Sequence, residues 1–506
     1  MDNQLNIFEE IYPKYKITKP IRLIEFFAGY GSQALALKYL DVKFEHYKIC
    51  EWAVKSIQAY KDIHFNGYTV LKQKQSKEKL ADYLFNKGIS SNYNEPMTRE
   101  QISRLSEEQL NTISDNIDIT HNLVNIQQVK GEDLEIVDTD KYDYILTYSF
   151  PCQDLSLAGK GKGMSDTSTR SGMLWEVERI LTECHELGTM PQILLMENVP
   201  QVHGTDNVKD FNKWQLRLEE LGYKNYFQDL IATDYGIPQT RNRCFMVSIL
   251  GEYSYSFPQP IPLKLKLKDL LEDNVPEKYY LSDKMIDFFT HNEEKQKEKG
   301  NGFTFNVSDG NTIAKTITTR AGSRMDDNFI KIKNATKKGY LEAEDGDGID
   351  ISSRMEHHRG TVQKNKAQTL TTQCDRGVVV DTLKKDLCNK LIQDGLVEEG
   401  DVVKHSYTSQ ILDGNKKCVE KNDGNMITLT TRGDCVGTTV KDEIGNLRIR
   451  KLTPKECFRL MGVKDEDYEK CAKNQSDSSL YHLAGDSIVV NVLMAIFNEL
   501  LKKEGE

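Results

Sequence analysis

Residues 21–37 read IRLIEFFAGYGSQALAL: an apolar run, a glycine turn and then a helical pattern. The apolar run has the length of a buried strand, and Gly29 and Gly31 supply a tight turn. The alanines and leucines that follow recur at helical spacing. This stretch therefore predicts the first strand–loop–helix unit of an α/β sheet.

Further strands are predicted along the first half of the chain. The run KFEHYKICEW leads to Glu51, about twenty residues after the glycines. Strand-like runs return at 142–150, 192–200 and 243–250, separated by helical stretches such as 172–187. Strands that alternate with helices imply a mostly parallel, doubly wound sheet.

Two parts of the chain depart from this alternation. Segment 66–125 is polar and carries charge on every face, which predicts an inserted group of helices outside the core. After Pro258 the sequence becomes rich in threonine and in short β-type runs. We divide the chain into a sheet domain at 1–257, a β-rich domain at 258–449, a junction at 450–483 and a C-terminal helix at 484–506 that returns to the sheet.

The junction contains a complete set of helix signals, in RKLTPKECFRLMGV. Thr453 suits the N-cap and Pro454 the first helical position. Glu456 completes a capping box, and Gly462 can end the helix. The segment predicts a short, sharply bounded helix.

The β-rich region contains an internal repeat. Its copies are AKTITTRAGSRMDD from Ala314, AQTLTTQCDRGVVV from Ala367 and MITLTTRGDCVGTT from Met426. Each copy alternates small, apolar and threonine residues and then enters a loop of glycine, aspartate and arginine. Two readings remain open: a repeated structural hairpin, or a duplicated loop that reads DNA.

Composition narrows the class of protein. The 506 residues hold ten scattered cysteines without a C-x-x-C pair, which indicates reduced thiols and no metal site. No run approaches the about 18 apolar residues of a membrane span, and the N-terminus is acidic, so we expect a soluble, cytosolic protein without membrane contact. The net charge of −10 argues weakly against nucleic acid, yet 67 lysines and arginines leave room for a local basic cleft.

Chemically suggestive residues follow the predicted strands in succession. In an open α/β sheet, ligands bind beyond the carboxyl ends of the strands, so these residues should share one edge. A glycine turn with an acid about twenty residues later suits a ribose, while the missing third glycine disfavours a pyrophosphate. The residues are Gly29 and Gly31, Glu51 and Trp52, Cys152, and Glu197 with Asn198.

The order of these motifs closely resembles that of the DNA cytosine-5 methyltransferases of prokaryotic or phage restriction-modification type. The matching text is FFAGYGS, EW, GEDL, FPCQDLS, MENVP, QTRNR, RKLTPKECFRLMG and AGDSIVVNV. The resemblance implies a Rossmann-like, S-adenosylmethionine-dependent methyltransferase sheet in the catalytic domain. It also implies that 258–449 is a target-recognition domain that binds double-stranded DNA.

The resemblance also implies a mechanism. The thiolate of Cys152 would add to C6 of a flipped-out cytosine, so that C5 can attack the methyl group. Glu197 would pair with N3 and Arg243 would stabilise the charge that develops at O2. Arg241 would hold the glutamate, Asn198 would support the cysteine loop, and Gln153 joins this catalytic group. The alternative for Cys152 is a buried structural cysteine.

The segment after the thiol, SLAGKGKGM, is predicted to close over the flipped base. Its glycines allow hinge motion and its lysines can bind phosphates; a disordered glycine linker is the alternative. Arginines in the repeat loops are further candidates for DNA contacts. The predicted DNA-binding residues are Ser156, Lys160, Lys162, Arg170, Arg320, Arg376 and Arg432.

The resemblance places the cofactor against a wider set of residues. Glu51 would bind the ribose, Trp52 the adenine face, and Asp133 or Glu132 the adenine amine. Three departures from the family pattern are Glu25 for aspartate, Ser32 for glycine, and Asp486 for asparagine, which adds negative charge near the cofactor. The predicted cofactor-binding residues are Phe27, Ala28, Gly29, Gly31, Glu51, Trp52, Asp133, Leu134, Pro151, Leu174, Ser487 and Val489.

Two other functions remain as alternatives. An enzyme with the same core could methylate transfer RNA, although the long region between QTRNR and RKLTP favours the reading of duplex DNA. The chain could also be a non-catalytic DNA-binding homologue. We expect a monomer. If a cognate restriction endonuclease exists, we expect the two proteins to be related by function and not by physical association.

Overall fold

The computed structural model describes residues 12–70, 75–151, 171–273, 275–298 and 447–501, with shorter stretches between 305 and 420. The chain forms two compact units. The first comprises Met1–Asp273, Asn292–Phe329 and Leu452–Glu506, and the second comprises Asn274–His291 and Ile330–Lys451.

A six-stranded sheet forms the centre of the first unit, in the order β2-β1-β3-β4-β6-β5. The first four strands of this order are parallel, and β6 runs antiparallel to both of its neighbours. This confirms the predicted doubly wound α/β class. The strands are β1 (Ile21–Phe26), β2 (Phe44–Cys50), β3 (Asp143–Tyr148), β4 (Ile193–Asn198), β5 (Tyr223–Ile231) and β6 (Asn242–Leu250).

The described residues form helices before and after the strands of the β-rich region. Eight precede the second unit's strands: α1 (Ser32–Tyr39), α2 (Val54–His64), α3 (Lys77–Lys87), α4 (Arg99–Ser103), α5 (Glu107–Ile119), α6 (Leu174–Leu187), α7 (Val208–Glu220) and α8 (Asp283–Glu298). Four follow them: α9 (Pro454–Leu460), α10 (Asp465–Ala472), α11 (Asp477–Gly485) and α12 (Val490–Leu501).

The main core lies between the sheet and helices α6 and α7. All six residues of β3 are buried, as the continuous apolar runs of a parallel sheet require. Trp214 of α7 is fully buried and donates its indole N–H to the Tyr148 hydroxyl at 3.1 Å. Helix α1 packs against α12, so the end of the chain contacts the first strand–loop–helix unit.

The helix predicted after Arg450 is confirmed. The Thr453 hydroxyl accepts from the Glu456 N–H at 3.2 Å, and the Glu456 carboxylate accepts from the Thr453 N–H at 2.8 Å. Pro454 occupies the first turn, and Gly462 follows the C-cap with a φ of 78°. The start of this helix could be predicted from the sequence because the residues that cap it lie within one turn of each other.

The insert is helical and lies outside the main core, yet it buries apolar residues of its own. Helices α3, α4 and α5 bury a small apolar cluster that includes Leu84, Ile102 and Leu110. Trp52 packs against this cluster from the sheet side. The polar residues that dominate the segment lie on the outer faces of short amphipathic helices, which hides the buried stripe in a count of composition.

The second unit contains short strands, as its β-rich sequence predicts. Strand β9 (Gly348–Asp350) pairs antiparallel with β10 (Thr361–Gln363) and with β11 (Arg376–Val378). The second unit also contains β12 (Val402–Val403), β13 (Val419–Glu420), β14 (Leu447–Lys451) and β8 (Phe329–Lys333) from its second residue onward, while β7 (Val307–Ser308) belongs to the first unit. Strands β12 and β13 form an antiparallel pair.

The compact units differ from the predicted domain boundaries. Residues 292–329, placed by the sequence in the β-rich domain, belong to the first unit. The Ala314 N–H donates to the Pro238 carbonyl, and the Thr240 N–H donates to the Ala314 carbonyl, both at 2.9 Å. The first threonine repeat is therefore hydrogen-bonded to the segment before β6, which its β-like composition does not reveal.

The predicted junction at 450–483 also differs. Helices α9, α10 and α11 belong to the first unit from Leu452 onward. Lys38 of α1 pairs with the buried Asp467 of α10 at 2.7 Å, and Arg459 donates to the Leu270 carbonyl at 3.0 Å. These contacts make the segment part of the sheet unit rather than a hinge.

One stretch of the described residues, Asp477–Leu501, is long and apolar enough to cross a membrane by length and composition. Its most apolar window is 72% buried within the protein. It comprises α11, a short turn and α12, all packed in the first unit. This is the placement of core helices, so the stretch is weak evidence for a membrane span.

Candidate functional site

The loop after β1 has an unusual backbone. Phe27, Gly29 and Gly31 have φ values of 56°, 55° and 81°. A Cβ at Gly31 would lie 2.6 Å from Cε2 of Tyr60 and still closer to the His64 ring. Only glycine fits there, and the left-handed backbone at Phe27 is a strained conformation of the kind that collects at ligand sites.

Glu51 closes this loop from the end of β2. Its carboxylate accepts from the Gly29 N–H at 2.9 Å and from the Ala53 N–H at 2.8 Å. Burial raises the pKa of Glu51 to about 7, against the lowering effect of these backbone N–H groups. The acid is thus held beside the glycine turn, as the ribose prediction requires.

The last part of the chain completes the site from the opposite side. The Tyr30 hydroxyl donates to the Ser487 hydroxyl at 2.8 Å, and the Ile488 N–H donates to the Ser32 hydroxyl at 3.4 Å. Ser32, a departure from the family pattern, therefore joins the two ends of the sequence. Glu25, another departure, is fully buried and accepts from the Tyr60 hydroxyl at 2.5 Å.

A small, partly open cavity lies between these segments. Four residues predicted to bind the cofactor line it: Phe27, Ala28, Gly29 and Ser487. Several other lining residues were not predicted to contact the cofactor, namely Gln33, Ser56, Ser149, His482 and Leu483; Asp486, which departs from the family pattern, also lines the cavity. One signal could have identified two of them: His482 and Asp486 are four residues apart and so share a helix face.

The insert reaches this cavity through Tyr93. Its ring stacks on His482 with a centroid distance of 3.9 Å and an interplanar angle of 16°. The loop is fixed to the segment after Glu51, because the Ser90 N–H donates to the Trp52 carbonyl at 2.8 Å and the Val54 N–H donates to the Ser90 carbonyl at 2.9 Å. Burial lowers the pKa of His482, so the ring stays neutral near pH 7.

The predicted catalytic acid lies at the carboxyl end of β4. Arg243, near the start of β6, places its Nε 3.1 Å from Oε1 of Glu197. The two residues share one edge because β6 runs antiparallel to β4, so its first residues lie beside the last residues of β4. Burial raises the pKa of Glu197, and the two nearby guanidinium groups lower it.

Arg241 makes hydrogen bonds that the sequence does not predict. It is buried, and its guanidinium donates to the carbonyls of Ile317 and Gly485 at 3.1 Å and of Ser487 at 2.6 Å. It lies near enough to Glu197 to lower the pKa of that carboxyl. Its hydrogen bonds join the first threonine repeat to the turn that lines the cavity.

Asn198 supports the segment that leads to the predicted nucleophile. Its side-chain amide donates to the Phe150 carbonyl at 3.0 Å, and its side-chain oxygen accepts from the Val199 N–H at 2.8 Å. Pro151 follows directly. Several predicted residues lie outside the described residues: Cys152, Gln153, Ser156, Lys160, Lys162, Arg170, Arg320 and Arg432. Arg376 begins β11, where only the backbone is described.

The remaining predicted cofactor residues are not among those that line the cavity in the described part of the chain. Leu134, Leu174 and Val489 are buried. The Asp133 carboxylate accepts from the Lys130 N–H at 2.8 Å, which closes a short turn at Gly131–Leu134. Trp52 is half-buried between Glu51 and the insert cluster.

Comparison with known sequences gives one family match. The profile of a family described as C-5 cytosine-specific DNA methylase matches residues 105–502. This range includes the segment after β3, the Glu197 strand and the segment that lines the cavity from the C-terminal side.

Two curated proteins are also similar to the chain. The orphan methyltransferase M.SssI of Spiroplasma monobiae is 40% identical over 243 residues, which are 47% of this chain and 61% of that protein. The type II methyltransferase M2.ScrFI of Lactococcus lactis subsp. cremoris is 29% identical over 491 residues, which are 96% of this chain and 100% of that protein.

Among solved structures, the Dnmt2 methyltransferase of S. pombe aligns at 12% identity. The alignment covers 95% of this chain and 97% of that chain, with a TM-score of 0.49. The family relationship rests on the sequence profile, and the fold class on the sheet described above.

Proposed function

This chain belongs to the C-5 cytosine-specific DNA methylase family, and on that premise we propose that it transfers a methyl group from S-adenosylmethionine to C5 of a cytosine flipped out of duplex DNA. The observation that carries this proposal is the position of the Glu197–Arg243 pair. It lies at the same edge of the sheet as the strained β1 loop and its cavity.

The residues around the cavity suit S-adenosylmethionine. Glu51 provides a carboxylate for ribose hydroxyls, and Phe27 and Ile488 provide apolar surface for the adenosine. Asp486 adds an acidic group suited to a cation. When bound, the cofactor supplies an electrophilic methyl group on a sulfonium.

The chain's own residues would prepare the cytosine. The Cys152 thiolate forms a bond to C6, which moves electron density to C5 and N3. Glu197 holds a proton at N3, and its buried environment, which raises its pKa, favours the protonated form that can donate. After methyl transfer, loss of the C5 proton and of the thiolate restores the ring.

The direct test is a methylation assay with purified protein, labelled cofactor and DNA. The wild type is expected to label DNA, and Cys152→Ser is expected to lose all transfer while it still binds the cofactor. DNA that carries 5-fluorocytosine should form a covalent complex with the wild type only, because fluorine blocks the loss of the C5 substituent. Full transfer by Cys152→Ser would refute the mechanism.

Two alternatives are separated by the same assay. Labelling of transfer RNA in preference to duplex DNA would indicate an RNA enzyme with this core. Specific DNA binding without any transfer would indicate a non-catalytic homologue. Duplex DNA is the expected partner, and the target-recognition role of 258–449, including Arg320, Arg376 and Arg432, forms part of the proposal.

The biological setting is proposed from the relatives. Of the two relatives described above, one is named as a type II methyltransferase and the other as an orphan methyltransferase. We extend a restriction-modification role to this chain. Sequencing of modified cytosines in DNA from cells that express the protein would identify the target.

A further inference from the structure

Asp486 places a negative charge at the end of a helix, where such a charge is unfavourable. It is the C-cap residue of α11, and its N–H donates to the His482 carbonyl at 2.9 Å. A helix C-terminus already carries partial negative charge, so a carboxylate there is unfavourable for the helix. Its exposed side chain lines the cavity beside Phe27, Gly29 and Ser487.

The negative charge of Asp486 affects the pKa of an acid on each side of the site. It raises the pKa of Glu51, on the cofactor side, and of Glu197, on the cytosine side, in each case after the larger effect of burial. Two guanidinium groups oppose these acids: Arg243 pairs with Glu197, and Arg241 donates to the carbonyls on either side of Asp486. Three carboxylates and two guanidinium groups therefore surround the place where a methyl donor would meet a cytosine.

The methyl transfer removes a positive charge from the cofactor. The sulfonium of S-adenosylmethionine becomes the neutral thioether of S-adenosylhomocysteine, while the methyl group joins C5 and the C5 proton leaves. The two molecules have almost the same shape, so the cavity can distinguish them chiefly by charge. Arg241 and Arg243 oppose the extra positive charge of the sulfonium, and an added carboxylate favours it.

Building on the proposed function, we propose that Asp486 is a specificity-determining residue that makes the cavity prefer the sulfonium substrate over its neutral product. Its carboxylate attracts the charge that is present before the reaction and absent after it. The substrate therefore binds more tightly relative to the product, and the enzyme resists product inhibition. This inference depends on S-adenosylmethionine being the cofactor.

The test measures dissociation constants by calorimetry for wild type and Asp486→Asn. The probes are S-adenosylmethionine, S-adenosylhomocysteine and sinefungin, in which an ammonium-bearing carbon replaces the sulfonium. The substitution removes the charge and keeps the shape. We expect affinity for the two cations to fall roughly three- to tenfold and affinity for the neutral product to change less than about twofold, with smaller effects at high salt.

Asp140→Asn serves as the matched control. Asp140 is exposed and precedes β3, so it lies at the amino edge of the sheet, opposite the cavity. Its loss should leave the ratio of the substrate and product affinities unchanged. In the methylation assay, Asp486→Asn should also be inhibited by lower product concentrations relative to its KM.

The possible outcomes separate this inference from the proposed function. If the wild type binds none of the three probes, the proposed cofactor is wrong. If the wild type binds them and Asp486→Asn shows the same substrate-to-product affinity ratio, Asp486 does not select by charge and the inference is refuted, while the proposed function stands. A loss of affinity for all three probes alike would also refute it, since that result indicates a shape effect.

Discussion

Glu51 joins the glycine turn to the cavity, and its protonation should depend on what the cavity holds. Its carboxylate accepts two backbone N–H groups, yet burial raises its pKa to about 7 without a ligand. The carboxyl is then partly protonated at neutral pH. A cation and ribose hydroxyl donors both favour the ionised form, so cofactor binding should lower this pKa.

Cofactor binding is therefore expected to release a proton near pH 7. The raised pKa of Glu51 gives the direction of this change: below pH 7 the Glu51 carboxyl holds a proton in the empty site that it does not hold in the occupied site. Affinity should tighten as pH rises from about 6 to 8. Calorimetry in two buffers with different ionisation enthalpies measures the proton, and Glu51→Gln should abolish its release. Equal heats in both buffers for the wild type would contradict the prediction.

The Glu197–Arg243 pair allows a second test at a single residue. Arg243→Gln removes the guanidinium 3.1 Å from Oε1 of Glu197, which leaves a buried acid without that ion pair. We expect the rate of methyl transfer to fall by roughly 100-fold with little change in cofactor affinity. Arg243→Lys should keep part of the rate, since it keeps the charge. Wild-type rates in Arg243→Gln would exclude a role for this pair.

The sequence predicts which residues lie at the ends of strands, but it does not predict which distant residues they contact. Glu51, Glu197 and Asn198 were expected at one edge because parallel strands end there, whereas Arg243 lies at that edge because β6 runs antiparallel to β4. The hydrogen bonds of Arg241 to three distant carbonyls could not be predicted, because they depend on how the chain returns to the sheet. His482 was missed because a single histidine in a helix indicates no function by itself.

At the scale of elements, the insert contributes to the site and does not merely lengthen the chain. Its loop is hydrogen-bonded beside Trp52, and Tyr93 stacks on His482 at the cavity. Tyr93 has a φ of 63°, an uncommon conformation for a side chain of this size. This uncommon backbone conformation occurs at the residue whose ring stacks on His482. We therefore expect the insert to shape the cofactor pocket.

Tyr93→Leu should therefore weaken cofactor binding. Loss of the stacked ring frees His482 to change rotamer, and we expect the cofactor Kd to rise roughly three- to tenfold while kcat at saturating cofactor is maintained. Tyr68→Leu is the control, because Tyr68 is 65% exposed and precedes the insert helices. A Kd that is the same in Tyr93→Leu and wild type would show that the insert does not act on the pocket.

Two elements show why sequence patterns succeed or fail. The capping box at Thr453 could be predicted because all of its contacts are local. Strand β5 was missed because it is an edge strand whose middle residues are exposed, so its apolar pattern is weak. The antiparallel direction of β6 was also not predicted, since the runs of residues that form strands contain no signal of direction.

At the scale of the whole molecule, the first threonine repeat is separated from the other copies. Gln239 is fully buried, accepts from the Ile317 N–H at 2.9 Å and donates to the Leu460 carbonyl at 2.7 Å. Arg241 binds the Ile317 carbonyl in the same place. A structural role accounts for this copy, and the described residues contain too little of the other two copies to compare them.

Gln239→Leu is expected to destabilise the first unit. The change leaves a buried N–H and a buried carbonyl without partners, which costs about 2–4 kcal/mol of unfolding free energy. Urea unfolding measures this loss, and methyl transfer should fall with it because Ile317 also binds Arg241. Gln239→Glu keeps the acceptor for the Ile317 N–H and should lose less stability. Unchanged stability in Gln239→Leu would show that the repeat is held by other contacts.

The residues that form the cavity lie far apart in the sequence, and this affects when the cavity can form during synthesis. The hydrogen bond from Tyr30 to Ser487 joins residues 457 positions apart, and it closes a cavity that begins at Phe27. A ribosome-bound chain lacks this closure until Ser487 has been translated, even though the strands of the sheet have already emerged. Translation itself should therefore delay cofactor uptake, so that a nascent protein remains inert towards the DNA around it until the turn at Ser487 and helix α12 have been made.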